Sequence, residues 1–115
     1  MPPKRNPLGL NPLQLKTLTL LQELARTSGQ RAGGEPDPGG VAITHIPQPH
    51  GDHFHIGEAM VAARDATGLN NPSVWMALAR KGLIEPRPPG SVIVTALGQE
   101  YDTGLRDAIL HRASH

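Results

Sequence analysis

Residues Asn71 to Leu97, NPSVWMALARKGLIEPRPPGSVIVTAL, constrain this chain more than any other stretch. Asn71-Pro72 is a helix start: the Asn side chain accepts from the free amides of the first turn, and proline has no N–H there to leave unsatisfied. The helix is expected over Pro72–Lys81, with Gly82 as its left-handed stop and Leu83 making the apolar contact that follows. Ile84–Arg87 then reads as a strand, Pro88-Pro89-Gly90 as a tight turn and Ser91–Thr95 as the returning strand. Thr95 caps a final helix expected to reach about His111, with Leu97, Tyr101, Leu105, Ala108 and Ile109 on one face. Gly98 and Gly104 are expected to weaken that helix by about 1 kcal/mol each relative to alanine.

The same start signal appears earlier. Asn11 caps and Pro12 opens a first helix expected to run to about Arg26, with Leu10 and Leu15 placed as a hydrophobic staple. Leu13, Leu20, Leu21 and Leu24 recur at helical spacing, so this helix serves the core and is a candidate dimer contact. Residues 1–9 read as a flexible basic arm, and residues 28–40, rich in glycine and proline, as a flexible linker. Val41–Ile46 and His53–Ile56 are expected to form a β-hairpin around the loop Pro47–Asp52. Phe54 and Ile56 then share one side, and His53 and His55 the other. A second helix is expected over about Glu58–Ala66, with Gly68 past its end and a turn over Thr67–Asn70.

Composition narrows the function classes. The chain has 115 residues, enough for one domain with a modest core, and that core must be aliphatic because Phe54, Trp75 and Tyr101 are the only aromatic residues. Without cysteine there is no disulfide, thiolate nucleophile or sulfur-ligated zinc. The formal net charge of +1 forces neither a nucleic-acid nor a membrane partner. No apolar run approaches the roughly 20 residues of a membrane span, and the first residues lack the apolar core of a secretion signal. The expectation is a cytoplasmic protein with no membrane partner. No phosphate-binding loop, nucleophile elbow or paired-carboxylate spacing is present, so the chain is expected not to be an enzyme.

Lys81-Gly82-Leu83-Ile84 and Val94-Thr95-Ala96-Leu97-Gly98 resemble the step after the recognition helix, and the segment after the wing, of winged helix-turn-helix transcriptional regulators of the MarR and PadR kind. The resemblance covers about residues 54–101. It implies an α+β fold over residues 10–115: a winged helix-turn-helix with an extra N-terminal β-hairpin and a C-terminal helix. It also implies a DNA-binding transcriptional regulator, expected to dimerise through the first and last helices. The hairpin and linker before the second helix are longer and richer in histidine than in those families.

Steps of 100° put Val74, Ala77, Leu78 and the stem of Lys81 on the core side of the third helix, and Ser73, Trp75, Met76, Ala79 and Arg80 on the other. Groove readers carry Arg, Lys, Asn, Gln, Ser or Thr on the outward face. The candidate DNA-contacting set is therefore Asn70, Asn71, Ser73, Trp75, Arg80, Lys81 and Arg87, with backbone contact favoured over base reading because Trp75 and Met76 suit base edges poorly. An outward Trp75–Met76 pair also suits a protein-interaction module, the alternative reading. His45, His50, His53 and His55, beside Asp52, form a candidate site for zinc, nickel or copper, which accept imidazole and carboxylate ligands. The same cluster also reads as a solvated polar face.

Overall fold

A computed structural model describes residues 8–28, 30–31, 40–44, 46, 51–56, 59–87 and 91–112. Helix α1 covers Pro12–Ser28, slightly longer than expected. Its start is a reciprocal capping box: Asn11 Oδ1 accepts from the Gln14 amide at 2.8 Å, and Gln14 Oε1 accepts from the Asn11 amide at 3.0 Å. Leu10 is buried before the cap, as a staple residue should be. Residues Thr17 to Leu21 are buried without interruption, so α1 is enclosed on nearly its whole circumference. Two threonines tolerate this because their hydroxyls donate to carbonyls one turn back, Thr17 to Leu13 at 2.9 Å and Thr19 to Leu15 at 2.8 Å. The middle of α1 thus belongs to the protomer's own core, which leaves little of it for the expected dimer contact.

Strands β1 (Gln30–Arg31), β2 (Val41–Ile43), β3 (His53–Ile56) and β4 (Ala59–Ala62) follow, then two 3-10 turns over Ala63–Asp65 and Thr67–Asn70. Helix α2 spans Pro72–Arg80, and β5 (Ile84–Arg87) and β6 (Ser91–Val94) follow it. The chain then forms α3 (Ala96–Glu100), α4 (Arg106–Ile109) and β7 (His111–Arg112). The fold is mixed α+β, with one four-stranded antiparallel sheet, order β1-β2-β6-β5, and one three-stranded sheet, order β3-β4-β7. Among the described residues, no helix is long and apolar enough to cross a membrane.

Several local expectations are corrected by these pairings. The extra hairpin is built from β3 and β4, with Phe54 opposite Val61 and His55 opposite Met60, and not from residues 41–56. Strand β2 cannot take β3 because both its edges are occupied, by β1 (Arg31 opposite Val41) and by β6 (Ile43 opposite Val92). The helix expected over Glu58–Ala66 is replaced by β4 and a 3-10 turn. Alternation decides this: Val61 is fully buried between half-buried Met60 and Ala62. Alanine favours helix intrinsically, but β3 offers an unsatisfied edge, and tertiary pairing overrides a propensity of a few tenths of a kcal/mol (~0.5). Part of the expected linker is also structured, since Gln30 and Arg31 pair with Ala42 and Val41; residues 29 and 32–39 lie outside the described residues.

The final helix is broken. Gly104 adopts φ 73° and its amide donates to Asp102 Oδ1 at 3.1 Å, a turn that no continuous helix allows. The carbonyls of Gly98 and Tyr101 at the end of α3 are met by Gln22 Nε2 from α1, at 2.8 and 2.7 Å. Tyr101 and Ile109 are buried as the apolar face requires, whereas Leu97 is half exposed and Ala108 exposed. The Tyr101 hydroxyl accepts from the Leu8 amide at 3.1 Å, so the last residues of the expected N-terminal arm are tied to the core. Residues 1–7 lie outside the described residues.

Candidate nucleic-acid interface

Helix α2 is fixed at both ends by its own sequence. Asn71 Oδ1 accepts from the Ser73 amide at 3.0 Å, with Pro72 at the first helical position. At the other end the Gly82 amide donates to the Ala79 carbonyl at 2.9 Å and the Leu83 amide to the Leu78 carbonyl at 3.1 Å. With Gly82 at φ 78° this is a Schellman stop, and Leu83 is fully buried behind it. Val74 and Leu78 are buried toward α1. Ser73, Met76 and Arg80 are exposed on the opposite side, as the helical period requires; Lys81, expected to lay its stem on the core, is exposed instead.

The candidate DNA-contacting residues divide into three groups. Asn70, Ser73, Arg80 and Lys81 are exposed, and Arg80 and Lys81 make no ion pair among the described residues. Asn71 and Arg87 are engaged within the chain, Asn71 by its capping bond and Arg87 by an ion pair to Glu85 at 3.1 Å. Trp75 is half-buried, and its indole N–H donates to the Gly68 carbonyl at 3.1 Å. This bond fixes the ring against the 3-10 turn that precedes α2. Gly68, expected past the end of a helix, instead lies buried in that turn, where a β-carbon would stand 1.8 Å from Thr17 Oγ1.

Beside the exposed face of α2 lies an apolar groove of about 380 Å³, walled by Leu69, Pro72, Trp75, Met76 and Pro86. Leu69 and Pro86 are not among the binding residues expected from the sequence. Their only sequence signal is indirect: Pro86 shares a strand face with Ile84, one step beyond the core edge. Met76 is 57% exposed at the groove's rim. Strand β5 packs against α2, which brings Pro86 and Arg87 to this side of the molecule. The turn 88–90 between β5 and β6 lies outside the described residues.

The candidate metal ligands lie in the hairpin. His53 and His55 project from one face of β3, and their Nε2 atoms are 3.2 Å apart. His53 Nδ1 lies 3.3 Å from Asp52 Oδ1. His45 and His50 lie outside the described residues. Among the described residues, no three His, Cys, Asp or Glu side chains converge on one point. No family model, no curated protein and no solved structure matches the chain.

Proposed function

We propose that the protein is a small cytoplasmic winged-helix DNA-binding protein, a transcriptional regulator that holds duplex DNA mainly through the phosphate backbone. The observation that carries the reading is the sequence of elements around α2. A capped helix with exposed Ser73, Arg80 and Lys81 is followed at once by the β5–β6 hairpin, and β6 returns between β5 and β2. That order, helix, hairpin and a third strand from earlier in the chain, supports the recognition-helix and wing half of the reading; in place of the helix expected before it stand β4 and two 3-10 turns.

Backbone-led binding follows from which side chains are available. Arg80 and Lys81 are exposed cations at the end of α2, suited to phosphate. Base-edge readers are scarce, because Asn71 is used as a cap and Met76 occupies the centre of the outward face. Fluorescence anisotropy with mixed-sequence duplexes at low salt tests the reading. Binding that weakens steadily as salt rises is the expected result. No salt-dependent binding at micromolar protein overturns it.

The apolar groove favours a second reading, a protein-interaction module whose partner places an apolar side chain between Trp75, Met76 and Pro86. Arg80 and Lys81 on the same helix, and Arg87 beside Pro86, would favour acidic residues flanking that side chain. Met76→Glu distinguishes the two: it abolishes docking of such a peptide, whereas backbone-led DNA binding loses only the effect of one added negative charge.

A further inference from the structure

We propose that Met76 makes α2 a reader of the C5-methyl group that thymine and 5-methylcytosine present in the major groove, a preference that rests on the DNA-binding reading above. Pro72, Met76 and Arg80 follow one another at four-residue spacing, so they form one row along α2, and all three are exposed. Met76 is the fifth of the nine residues of α2 and is 57% exposed, which makes the middle of the row apolar. Arg80 ends the row with a cation, and Lys81 adds a second beside it. Phosphates held by Arg80 and Lys81 set Met76, about 6 Å back along the helix axis, against the neighbouring base edges.

What Met76 can read there follows from its chemistry. A thioether has no hydrogen to donate and accepts only weakly, so the polar groups of a base edge offer it little. The apolar feature that a base pair shows in the major groove is the C5-methyl of thymine, and 5-methylcytosine carries its methyl at the same ring position. Hydrogen-bonded readout has few competing side chains here. Asn71 Oδ1 accepts from the Ser73 amide and the Trp75 indole N–H is held by the Gly68 carbonyl, while the exposed Ser73 hydroxyl suits any base. Pro72, Trp75 and Pro86 wall the groove whose rim Met76 forms, so a methyl seated against Met76 meets further apolar surface. An unbranched, polarizable side chain adapts to such a methyl without imposing a shape of its own. Burying one methyl is a small gain beside several phosphate contacts, so it sets the preference among duplexes and not the overall affinity.

The test is fluorescence anisotropy of the full chain at low salt with two pairs of duplexes of equal length, in which every register presents the same edge. One pair is alternating dA·dT against alternating dA·dU, which lacks the methyl; the other is alternating dG·5-methyl-dC against alternating dG·dC. In each pair the methylated duplex is expected to bind more tightly, by about fourfold for each methyl that Met76 covers. Met76→Ala is expected to bring both ratios close to one while the slope of affinity against salt stays the same, because Arg80 and Lys81 remain. Met76→Leu is expected to keep the preference. Both substitutions fall at an exposed position outside the core, so the fold is kept. Equal affinity for the dA·dT and dA·dU duplexes, with salt-dependent binding intact, overturns the methyl preference and leaves the DNA-binding reading standing. A preference that Met76→Ala leaves unchanged overturns the assignment to Met76. No salt-dependent binding of any of these duplexes overturns the DNA-binding reading and the methyl preference with it.

Discussion

The carbonyl oxygen of Leu83 lies 2.0 Å from the point where a β-carbon on Gly98 would stand. Thr95 holds the two segments at that separation. Its amide donates to the Leu83 carbonyl at 3.1 Å, its hydroxyl donates to the Gly82 carbonyl at 2.7 Å, and the same hydroxyl accepts from the Gly98 amide at 3.0 Å. The stop of α2 and the start of α3, distant in sequence, are one hydrogen-bonded unit. Gly98→Ala is therefore expected to destabilise the protein by about 1–3 kcal/mol through overpacking against backbone. Helix propensity alone gives the opposite sign, a gain of about 1 kcal/mol. Urea unfolding of the single variant decides between them.

Gly68 makes a second such approach, to Thr17 Oγ1 on α1. Here the obstacle is a side chain. Gly68→Ala is expected to cost about 1–3 kcal/mol on its own. Combined with Thr17→Ala it should recover part of that loss, with a coupling of about 0.5–3 kcal/mol between contacting sites. A double-mutant cycle by denaturant unfolding measures it, and strict additivity would contradict the contact.

Glu23 of α1 is buried, and its carboxylate accepts from the guanidinium groups of Arg26 and Arg106. Arg106 ties α4 to α1 by this ion pair, beside the burial of Ile109 in the core. Arg106→Ala is expected to destabilise by about 1–2 kcal/mol, less than a fully buried pair because the guanidinium is half in water and Arg26 remains. Hydrogen exchange should quicken first at the amides of α4, while those in the middle of α1 stay protected.

Within the DNA-binding reading, Arg80→Ala and Lys81→Ala are each expected to lower the magnitude of the salt-dependence slope by about 1 without changing stability. Asn71→Ala should behave differently. It removes a helix cap and costs about 1 kcal/mol of stability, visible by thermal unfolding in the absence of any ligand.

Much of the local structure was legible in the residues. The Asn11-Pro12 and Asn71-Pro72 starts, the Gly82 stop and the Thr95 cap are all found where their chemistry requires, because each depends on atoms only a few residues away. Of the expected outward set, Ser73, Met76 and Arg80 are exposed as the helical period requires, whereas Trp75 and Ala79 are half-buried against the core. Ala59–Ala62 shows where that reasoning stops: its composition favours helix, but its partner β3 makes it a strand. The break at Asp102–Gly104 past α3 rests on a local turn, the Gly104 amide on Asp102 Oδ1, and on a remote contact, the 2.6 Å hydrogen bond that Thr19 of α1 shares with buried Thr103.

For the stretch Asn71–Leu97, then, the sequence alone determined a capped helix, a glycine stop, two strands and a capped return to helix. Tertiary structure decided what those elements meet. It put β6 between β5 and β2, turned Trp75 onto the Gly68 carbonyl and opened the apolar groove beside Met76. It also brought the His53 and His55 nitrogens to 3.2 Å. The physical reason is range: caps and stops satisfy backbone groups within one turn, whereas strand edges and grooves are completed by residues remote in the chain.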